Sequence, residues 1–245
     1  FAGGCGRDWL LGRQPKDCDV ATNAMPEEIA ALFRDLNLNS VGTIFKVMIV
    51  EGVEVATYRA DRYFGLSAKN CEVVAARTIE EDLARRDLTI NSLALCPFSG
   101  NIIDVFGGKE DLRNGVIRFT GDPEKRIYED PCRILRACRF MSAIEGRFDP
   151  ETFEALKRNV PLVKQHVTPE RINLEIMKSL KYRQPSIFFN ALHDIGALGE
   201  ILPSLEACYD FDGGPHHGET VFEHSMIVGD AIPAEYPLLR LAGYI

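Results

Sequence analysis

Short apolar runs and helical periodicity alternate over the first half of the chain. The run 18–22 predicts a strand, whereas 25–33 predicts a helix, because its Met-Pro-Glu-Glu start suits a first helical turn. Apolar runs at 45–50 and 53–58 flank Glu51-Gly52 and predict a β-hairpin. Further apolar segments predict a helix over 79–95 and short strands over 102–106 and 116–119. This half of the chain therefore predicts a mixed α/β domain.

Helical periodicity dominates after Gly121-Asp122-Pro123. Helices are predicted over 128–141, 150–158, 169–180 and 185–192. We therefore expect an α/β head over residues 1–120, an all-α neck over 121–184 and the start of a helical body over 185–245. Because the sequence stops inside an apolar helix-like run at Ile245, we also expect the natural chain to continue there, and Phe1 raises the same expectation at the other end.

Composition narrows the class of protein. With 46% hydrophobic and 26% charged residues, the 245-residue chain can bury a sizeable core, which argues against a mainly disordered protein. No apolar run approaches the roughly 18 residues of a membrane span. The net charge of −8 argues against nucleic-acid binding by bulk positive charge but leaves room for a local basic stripe. Seven cysteines without a C-x-x-C pair favour reduced thiols and a cytoplasmic location.

Asp17 and Asp19 form the first candidate site. They are two residues apart on the predicted strand, so both carboxylates point to one face and could attract Mg²⁺, which also binds substrate phosphates. Surface turns often produce the same spacing, so the pair alone is weak evidence. Gly3-Gly4 strengthens it, because glycines at a helix start let backbone N–H groups approach a phosphate. Together these residues predict a site for a nucleoside triphosphate.

Two further segments combine arginines with carboxylates. Residues 85–91 read Arg-Arg-Asp-Leu-Thr-Ile-Asn, and the predicted helix places Asp87 and Asn91 on one face. Residues 129–140 carry Asp130 followed by arginines at 133, 136 and 139. Solvated helix faces and an intrahelical Asp–Arg pair are the simple interpretations. The functional interpretation is a cleft at 85–91 and, at 130–133, a carboxylate and a guanidinium that read a base edge.

In this order and spacing, the segments resemble the tRNA nucleotidyltransferases of the bacterial and eukaryotic class, which includes CCA-adding enzymes and bacterial poly(A) polymerases. The resemblance covers Phe1 to about Leu202. The matching segments are residues 3–19 (catalytic motif), 85–91 (sugar- and phosphate-binding motif), 104–108 (head-to-neck connection), 129–140 (nucleotide-selecting motif) and 170–172 (neck-bracing motif).

The resemblance implies a polymerase-β-like nucleotidyltransferase head with a mixed sheet. Two Mg²⁺ ions would activate the primer 3′-hydroxyl and neutralise the triphosphate, held by Asp17 and Asp19, with Glu54 as the candidate third catalytic carboxylate. Asp130 and Arg133 would pair with cytosine or adenine in place of a nucleic-acid template. The implied nucleotide-binding residues are Gly3, Gly4, Arg7, Arg85, Asp87, Asn91, Asp130, Arg133 and Arg136.

The implied reaction is the template-independent addition of C, A or both, from CTP and ATP, to the 3′ end of tRNA. CCA-adding relatives often carry an Asp/Arg/Arg/Pro loop between residues 59 and 85, and the stretch around Lys69 lacks most of it, so CC-adding and A-adding enzymes stay open. Poly(A) tailing is the alternative within the family. The stretch 42–50 counts against that alternative, because it lacks the two basic residues and the His-Val usual in poly(A) polymerases.

Histidines suggest one alternative from another class. Residues 216–225 resemble the opening of an HD phosphohydrolase-type domain with His224 as the first metal ligand, although carboxylate partners are missing and a metal-free helix face is favoured. His193-Asp194 is interpreted as a packing turn ahead of Gly196. A non-catalytic RNA-binding module is the third hypothesis. Local RNA contacts would involve the basic side chains Lys157, Arg158, Lys164, Arg171, Lys178, Lys181 and Arg183, for which an ordinary solvated surface is equally weighted.

Overall fold

The chain divides into two compact units. The computed structural model describes residues 1–15, 18–41, 47–66, 71–214 and 218–245, with the backbone alone described at residue 41. Unit 1 comprises Phe1–Asn114 and Arg118–Asp122, and unit 2 comprises Gly115–Ile117 and Pro123–Ile245. Within the described residues, no helix is long and apolar enough to cross a membrane.

Unit 1 contains a four-stranded mixed sheet with strand order β1-β4-β3-β2. β1 runs parallel to β4, and the other two pairings are antiparallel. The described strands of the unit are β1 (Val20–Thr22), β2 (Leu38–Val41), β3 (Val47–Val50), β4 (Val53–Thr57), β5 (Arg59–Tyr63), β6 (Cys71–Ala75), β7 (Leu93–Leu95) and β8 (Ile102–Asp104). Its described helices are α1 (Gly4–Leu10), α2 (Pro26–Leu32), α3 (Ile79–Ala84) and α4 (Gly108–Arg113).

The sheet has an apolar cluster on each face, because successive side chains of a strand point to opposite faces. Val20 packs in the apolar cluster of Ile29, on α2, whereas its neighbour Ala21 packs in the cluster of Leu83, on α3. The predicted hairpin is confirmed as β3 and β4, with Glu51 and Gly52 at the turn. Residues 45 and 46 of the predicted first strand lie outside the described residues.

The helix predicted over 79–95 is wrong beyond Ala84. The chain leaves α3 there, becomes extended at Leu88, forms a 3₁₀ turn at Thr89–Asn91 and enters β7. Leu88 pairs with Phe119 in an isolated bridge, and the Thr89 N–H donates to the Arg118 carbonyl at 3.0 Å. These long-range bonds replace helical ones, and apolar periodicity within 79–95 does not reveal them.

Unit 2 is helical apart from one short parallel strand pair. The pair consists of β9 (Val116–Ile117) and β10 (Arg147–Phe148). Its described helices are α5 (Pro123–Glu129), α6 (Cys132–Ile144), α7 (Pro150–Asn159), α8 (Pro161–His166), α9 (Pro169–Ser179), α10 (Ser186–Asp194), α11 (Leu198–Ile201), α12 (Pro203–Glu206), α13 (Val221–Ala231) and α14 (Pro237–Tyr244). The expectation of a mixed α/β region followed by a helical region is confirmed.

The core of unit 2 forms where α6 packs against α9 and α10. Phe188 and Phe189, on α10, are fully buried and meet edge to face with ring centroids 5.3 Å apart. The helix predicted over 128–141 is interrupted at Asp130 and Pro131, which separate α5 from α6. The interruption takes Asp130 out of the helical repeat assumed from the sequence.

Candidate active site

A tight turn at Gly3 opens α1. Gly3 has a φ of 86°, a left-handed conformation that side chains disfavour, and its N–H donates to the Leu93 carbonyl at 2.9 Å. A Cβ at Gly3 would collide with a guanidinium nitrogen of Arg86. The backbone angle therefore favours glycine at this position, and a side chain here would also have to displace the Arg86 guanidinium.

Arg7, Asn91 and Asp87 form a buried polar chain beside this turn. The Arg7 guanidinium donates to the Asn91 side-chain oxygen at 2.6 Å, and the Asn91 amide donates to an Asp87 carboxylate oxygen at 3.2 Å. All three residues are buried. The structure thus brings together three residues that the sequence assigned to nucleotide binding, although 85–91 does not form the predicted helix.

The α4 region holds the 3₁₀ turn that carries Asn91. The Thr89 hydroxyl donates to Asp111 at 2.7 Å, and a Cβ at Gly108 would collide with the Thr89 carbonyl. Asp104 accepts hydrogen bonds from the N–H groups of Gly108 and Lys109, at 2.8 and 2.9 Å, and so fixes the start of α4. The segment 104–108 therefore holds the start of α4 against the turn that carries Asn91.

Asp82 anchors two neighbouring arginines, and the sequence did not single it out. Arg85 Nε and Arg86 Nη2 donate to its two oxygens, at 2.9 and 3.0 Å. Burial raises the pKa of Asp82, but the two guanidinium groups outweigh burial and lower the pKa below its usual value. Arg85 also reaches Asp61 at 3.4 Å. Its neighbour Arg86, which the sequence analysis did not assign to nucleotide binding, is the arginine that lies against Gly3.

Asp19 immediately precedes β1, and Glu54 lies on the neighbouring strand β4. β1 and β4 pair in parallel with Val20 opposite Val55, so the same register continued by one residue brings Asp19 beside Glu54. Both are exposed, and the Asp19 carbonyl accepts the Ala2 N–H at 3.0 Å. Asp17 lies outside the described residues. Exposed, adjacent carboxylates suit a hard cation such as Mg²⁺, although the described residues hold no group of three or more potential ligands.

In unit 2, Asp130 pairs with Arg171. Two guanidinium nitrogens donate to its two oxygens at 2.9 and 2.7 Å, which raises the pKa of Arg171. Arg133 instead donates to Glu129 at 2.6 Å and to the Arg126 carbonyl at 3.0 Å. The ion pairs found for Asp130 and Arg133 are therefore with Arg171 and Glu129, respectively.

The two later arginines of α6 have different surroundings. Arg136 is partly exposed, and its guanidinium lies 5.5 Å from the centre of the Phe140 ring. Arg139 is buried and donates to Glu175 at 2.5 Å and to the Tyr182 hydroxyl at 2.7 Å. Arg139 therefore joins α6 to α9 as a structural residue.

Most of the basic side chains that the sequence analysis selected between residues 157 and 183 form ion pairs with nearby carboxylates. Five of the seven form ion pairs within unit 2, and a sixth, Lys157, lies 5.3 Å from the centre of the Phe153 ring. The five pairs are Arg158–Glu124, Lys164–Glu200, Arg171–Asp130, Lys178–Glu175 and Arg183–Glu145. Any phosphate group that bound at this surface would have to compete with these carboxylates.

His193 and His224 lie on helices α10 and α13 of unit 2. His193 Nδ1 is 3.0 Å from Glu206, and the His193 ring stacks on Tyr209 with centroids 3.5 Å apart. His224 Nδ1 lies 3.0 Å from Glu219 on an exposed surface. His216 and His217 lie outside the described residues.

Two family models match the chain, one in each half. Residues 1–118 match the Poly A polymerase head domain, and residues 147–209 match the probable RNA and SrmB-binding site of polymerase A. The chain belongs to the class II nucleotidyltransferase and poly(A) polymerase family. The resemblance inferred from the five motifs is therefore confirmed.

Curated relatives of the family carry two kinds of name. The CCA-adding enzyme of Ligilactobacillus salivarius is 41% identical over 187 residues, which cover 76% of this chain and 46% of the relative. Poly(A) polymerase I of Haemophilus influenzae is 36% identical over 222 residues, which cover 85% of this chain and 49% of the relative. The chain spans about half the length of the curated relatives it matches.

Solved structures show the same fold. The crystal structure of the Bacillus stearothermophilus CCA-adding enzyme in complex with CTP superposes with a TM-score of 0.71 at 34% identity, covering 86% of this chain and 53% of that one. The Thermotoga maritima CCA-adding enzyme complexed with tRNA superposes with a TM-score of 0.66 at 30% identity, covering 82% of this chain and 47% of that one. These two family members were therefore solved with CTP and with tRNA bound, respectively.

Proposed function

We propose that this chain carries the catalytic head and the neck of an RNA nucleotidyltransferase that adds C, A or both, from CTP and ATP, to the 3′ end of tRNA. The observation that carries the proposal is the assembly of Arg7, Arg86, Asp87 and Asn91 around the turn at Gly3. The head corresponds to residues 1–120, the neck to 121–184 and the start of a helical body to 185–245. The odd number of cysteines and the lack of a C-x-x-C pair support a reducing, cytoplasmic setting.

The triphosphate and ribose are assigned to unit 1. The guanidinium group of Arg86 lies against Gly3 and that of Arg7 lies against Gly4, where fixed donor forks suit phosphate oxygens. Asp87 and Asn91 supply an acceptor and an amide suited to ribose hydroxyls. Arg85, held by Asp82 and Asp61, supports Arg86 through their shared carboxylate.

Mg²⁺ is assigned to the carboxylates at the β1 end of the sheet. Asp19 and Glu54 offer exposed oxygen donors side by side, and Asp17 adds a third by its place in the sequence. Bound there, two Mg²⁺ ions would supply charge neutralisation and activation of the primer hydroxyl. The protein's own part is to hold the carboxylates at this sheet edge through the β1–β4 pairing.

Base selection is assigned to Asp130 and Arg133. A carboxylate that accepts and a guanidinium that donates can together match the hydrogen-bonding edge of cytosine or adenine. The fork from Arg171 and the ion pair to Glu129 limit the rotation of these two side chains. Arg136, one helical turn further along α6, is the additional candidate for nucleotide contact.

Poly(A) tailing is the second candidate. A relative from Haemophilus influenzae that aligns over 85% of this chain is named poly(A) polymerase I, which supports this second candidate. Both candidates use the same nucleotidyl transfer to a 3′-hydroxyl and differ in primer and in product length. Relatives at 39–41% identity carry the name CCA-adding enzyme, which supports tRNA end synthesis as the first candidate.

Primer extension distinguishes the candidates. The full chain is offered tRNA transcripts that end at the discriminator base, at C or at CC, with Mg²⁺ and with CTP and ATP, separately and together. Completion to CCA supports a CCA-adding enzyme, whereas arrest at CC or addition of a single A supports a partial one. A long A tail supports the second candidate. Asp17→Ala is the control, and an absence of incorporation by the wild type contradicts both.

A further inference from the structure

Two cysteine thiols meet beside the candidate active site. Cys5 is buried on α1, and Cys18 is exposed immediately before β1. Their sulfur atoms lie 3.4 Å apart, in a contact that spans 13 residues of sequence. A disulfide bond is about 2.05 Å long, so a shift of roughly 1.4 Å would join the two sulfurs.

The contact links two parts of unit 1 that the proposed function uses. Cys5 directly follows the Gly3-Gly4 turn, and Cys18 directly precedes Asp19. The hydrogen bond from the Ala2 N–H to the Asp19 carbonyl, at 3.0 Å, already ties the same two segments together. A covalent bond between the sulfurs would therefore act on both the glycine turn and the strand that carries the carboxylates.

We propose that Cys5 and Cys18 form an oxidisable dithiol, which hydrogen peroxide converts into a disulfide that stops nucleotide transfer. The part that concerns transfer rests on the proposed function above. The two sulfurs react one after the other, and their different exposure to solvent determines which one reacts with peroxide first. Cys18 faces solvent and meets the oxidant, whereas Cys5 is buried against it and reacts second.

The chemistry uses one peroxide for two thiols. The Cys18 sulfur attacks one peroxide oxygen, the O–O bond breaks, and a sulfenic acid and one water form. The Cys5 sulfur then attacks the sulfenic sulfur, the S–O bond breaks, and the disulfide and a second water form. Two electrons pass from the thiols to peroxide in total. A dithiol reductant such as dithiothreitol reverses the reaction by thiol–disulfide exchange.

The expected effect on transfer follows from positioning. Reacting groups must be held within a fraction of an ångström, and a displacement of about 1 Å can cost on the order of a hundredfold in rate. Joining the sulfurs needs a displacement of this size next to Asp19. The disulfide form should therefore transfer nucleotides at least about tenfold more slowly than the dithiol form.

The test combines a chemical readout with an activity readout on the full chain. The protein is treated with hydrogen peroxide, quenched with catalase, alkylated and mapped by non-reducing peptide mass spectrometry. CTP incorporation into tRNA is measured before oxidation, after oxidation and after dithiothreitol. Cys18→Ser and Cys5→Ala each remove one partner, and Cys71→Ser, on β6 of the same unit, is the matched control. Each variant is compared with its own reduced form.

A Cys5–Cys18 cross-linked peptide, with reversible inhibition in the wild type and in Cys71→Ser but not in Cys18→Ser or Cys5→Ala, supports the proposal. Failure to form the cross-link overturns it, as does a cross-link that leaves incorporation unchanged. Failure of the proposed function is a distinct result, because the reduced wild type would then incorporate no nucleotide, and the peptide map would still decide whether the dithiol exists.

Discussion

Arg171 donates two hydrogen bonds to Asp130, one to each carboxylate oxygen, at 2.9 and 2.7 Å. The two residues are 41 positions apart, and the fork joins the start of α9 to the break between α5 and α6. A carboxylate held at both oxygens has a fixed orientation. The ion pair therefore connects the segment 170–172 to the residue that we propose for base selection.

Arg171→Lys should weaken discrimination between nucleotides, because an ammonium group cannot form the planar two-point contact. We expect a loss of about tenfold to a hundredfold in kcat/KM for the preferred nucleotide, with less effect on the other. Steady-state incorporation with CTP and with ATP measures it. Arg183→Lys is the matched control, because Arg183 also makes a two-point contact, from Nε and Nη2 to Glu145, on an exposed surface. Equal losses in the two variants would contradict the role assigned to Arg171.

Gly3→Ala should disrupt the site more than Gly12→Ala does. Both positions have positive φ, 86° and 67°, but a Cβ at Gly3 also meets Arg86, whereas a Cβ at Gly12 has nothing within 4 Å. We expect Gly12→Ala to cost about 1 kcal/mol of unfolding free energy and Gly3→Ala clearly more. Thermal unfolding and CTP binding measure both effects. Gly3→Ala should cost less unfolding free energy in an Arg86→Ala background than in the wild type, and equal costs in the two backgrounds would argue against the collision.

Asp82→Asn should lower stability at neutral pH, and the deficit should shrink in acid. The folded-state pKa of Asp82 is lowered, so its contribution is complete above the usual aspartate pKa and is lost as the pH falls through the lower folded value. We expect a loss of about 3 kcal/mol at pH 7, because two arginines lose a buried partner. Denaturant unfolding between pH 7 and pH 3 measures it.

Asp35→Asn is the control for that series. Asp35 pairs with Arg34 at 3.7 Å, and both side chains are at least 80% exposed. Exposed pairs contribute about 0–1 kcal/mol, so this variant should follow the wild type at every pH. A pH-independent deficit in Asp82→Asn would show that packing, not charge, explains its effect.

Glu54→Gln should raise the Mg²⁺ concentration needed for nucleotide incorporation and lower the maximal rate by about tenfold or more, because one anionic ligand is lost. Magnesium titrations of primer extension measure both changes. Glu72→Gln, also an exposed strand residue of unit 1, provides the comparison. If the two variants titrate alike, Glu54 is not a ligand.

Local pattern was sufficient for some elements of the fold. The β3–β4 hairpin follows from two apolar runs on either side of Glu51-Gly52, and β1 follows from the short run before Thr22. The helices of unit 2 that begin at Pro150 and Pro169 start where the sequence predicts. In these cases the hydrogen-bond partners lie within the element or in the next one, so nearby residues determine the structure.

Other elements depend on partners that are distant in sequence. The segment after Ala84 has the apolar spacing of a helix, yet it follows an extended path. The Thr89 N–H donates to the Arg118 carbonyl, and the Thr120 N–H donates to the Asp87 carbonyl, which fixes this path. That path decides which arginine lies against Gly3. A helix would offer no reason to prefer Arg86 over Arg85, and the sequence analysis chose Arg85.

The sequence by itself determined the family, the α/β-then-helical order and the residue types of the site, because ordered motifs and periodicity are local properties. Only the tertiary structure decided that Asp82 holds both arginines, that Arg171 is the partner of Asp130, and that Cys5 meets Cys18. A charged or thiol side chain interacts with whichever group the fold brings within a few ångströms, and sequence separation says little about that distance.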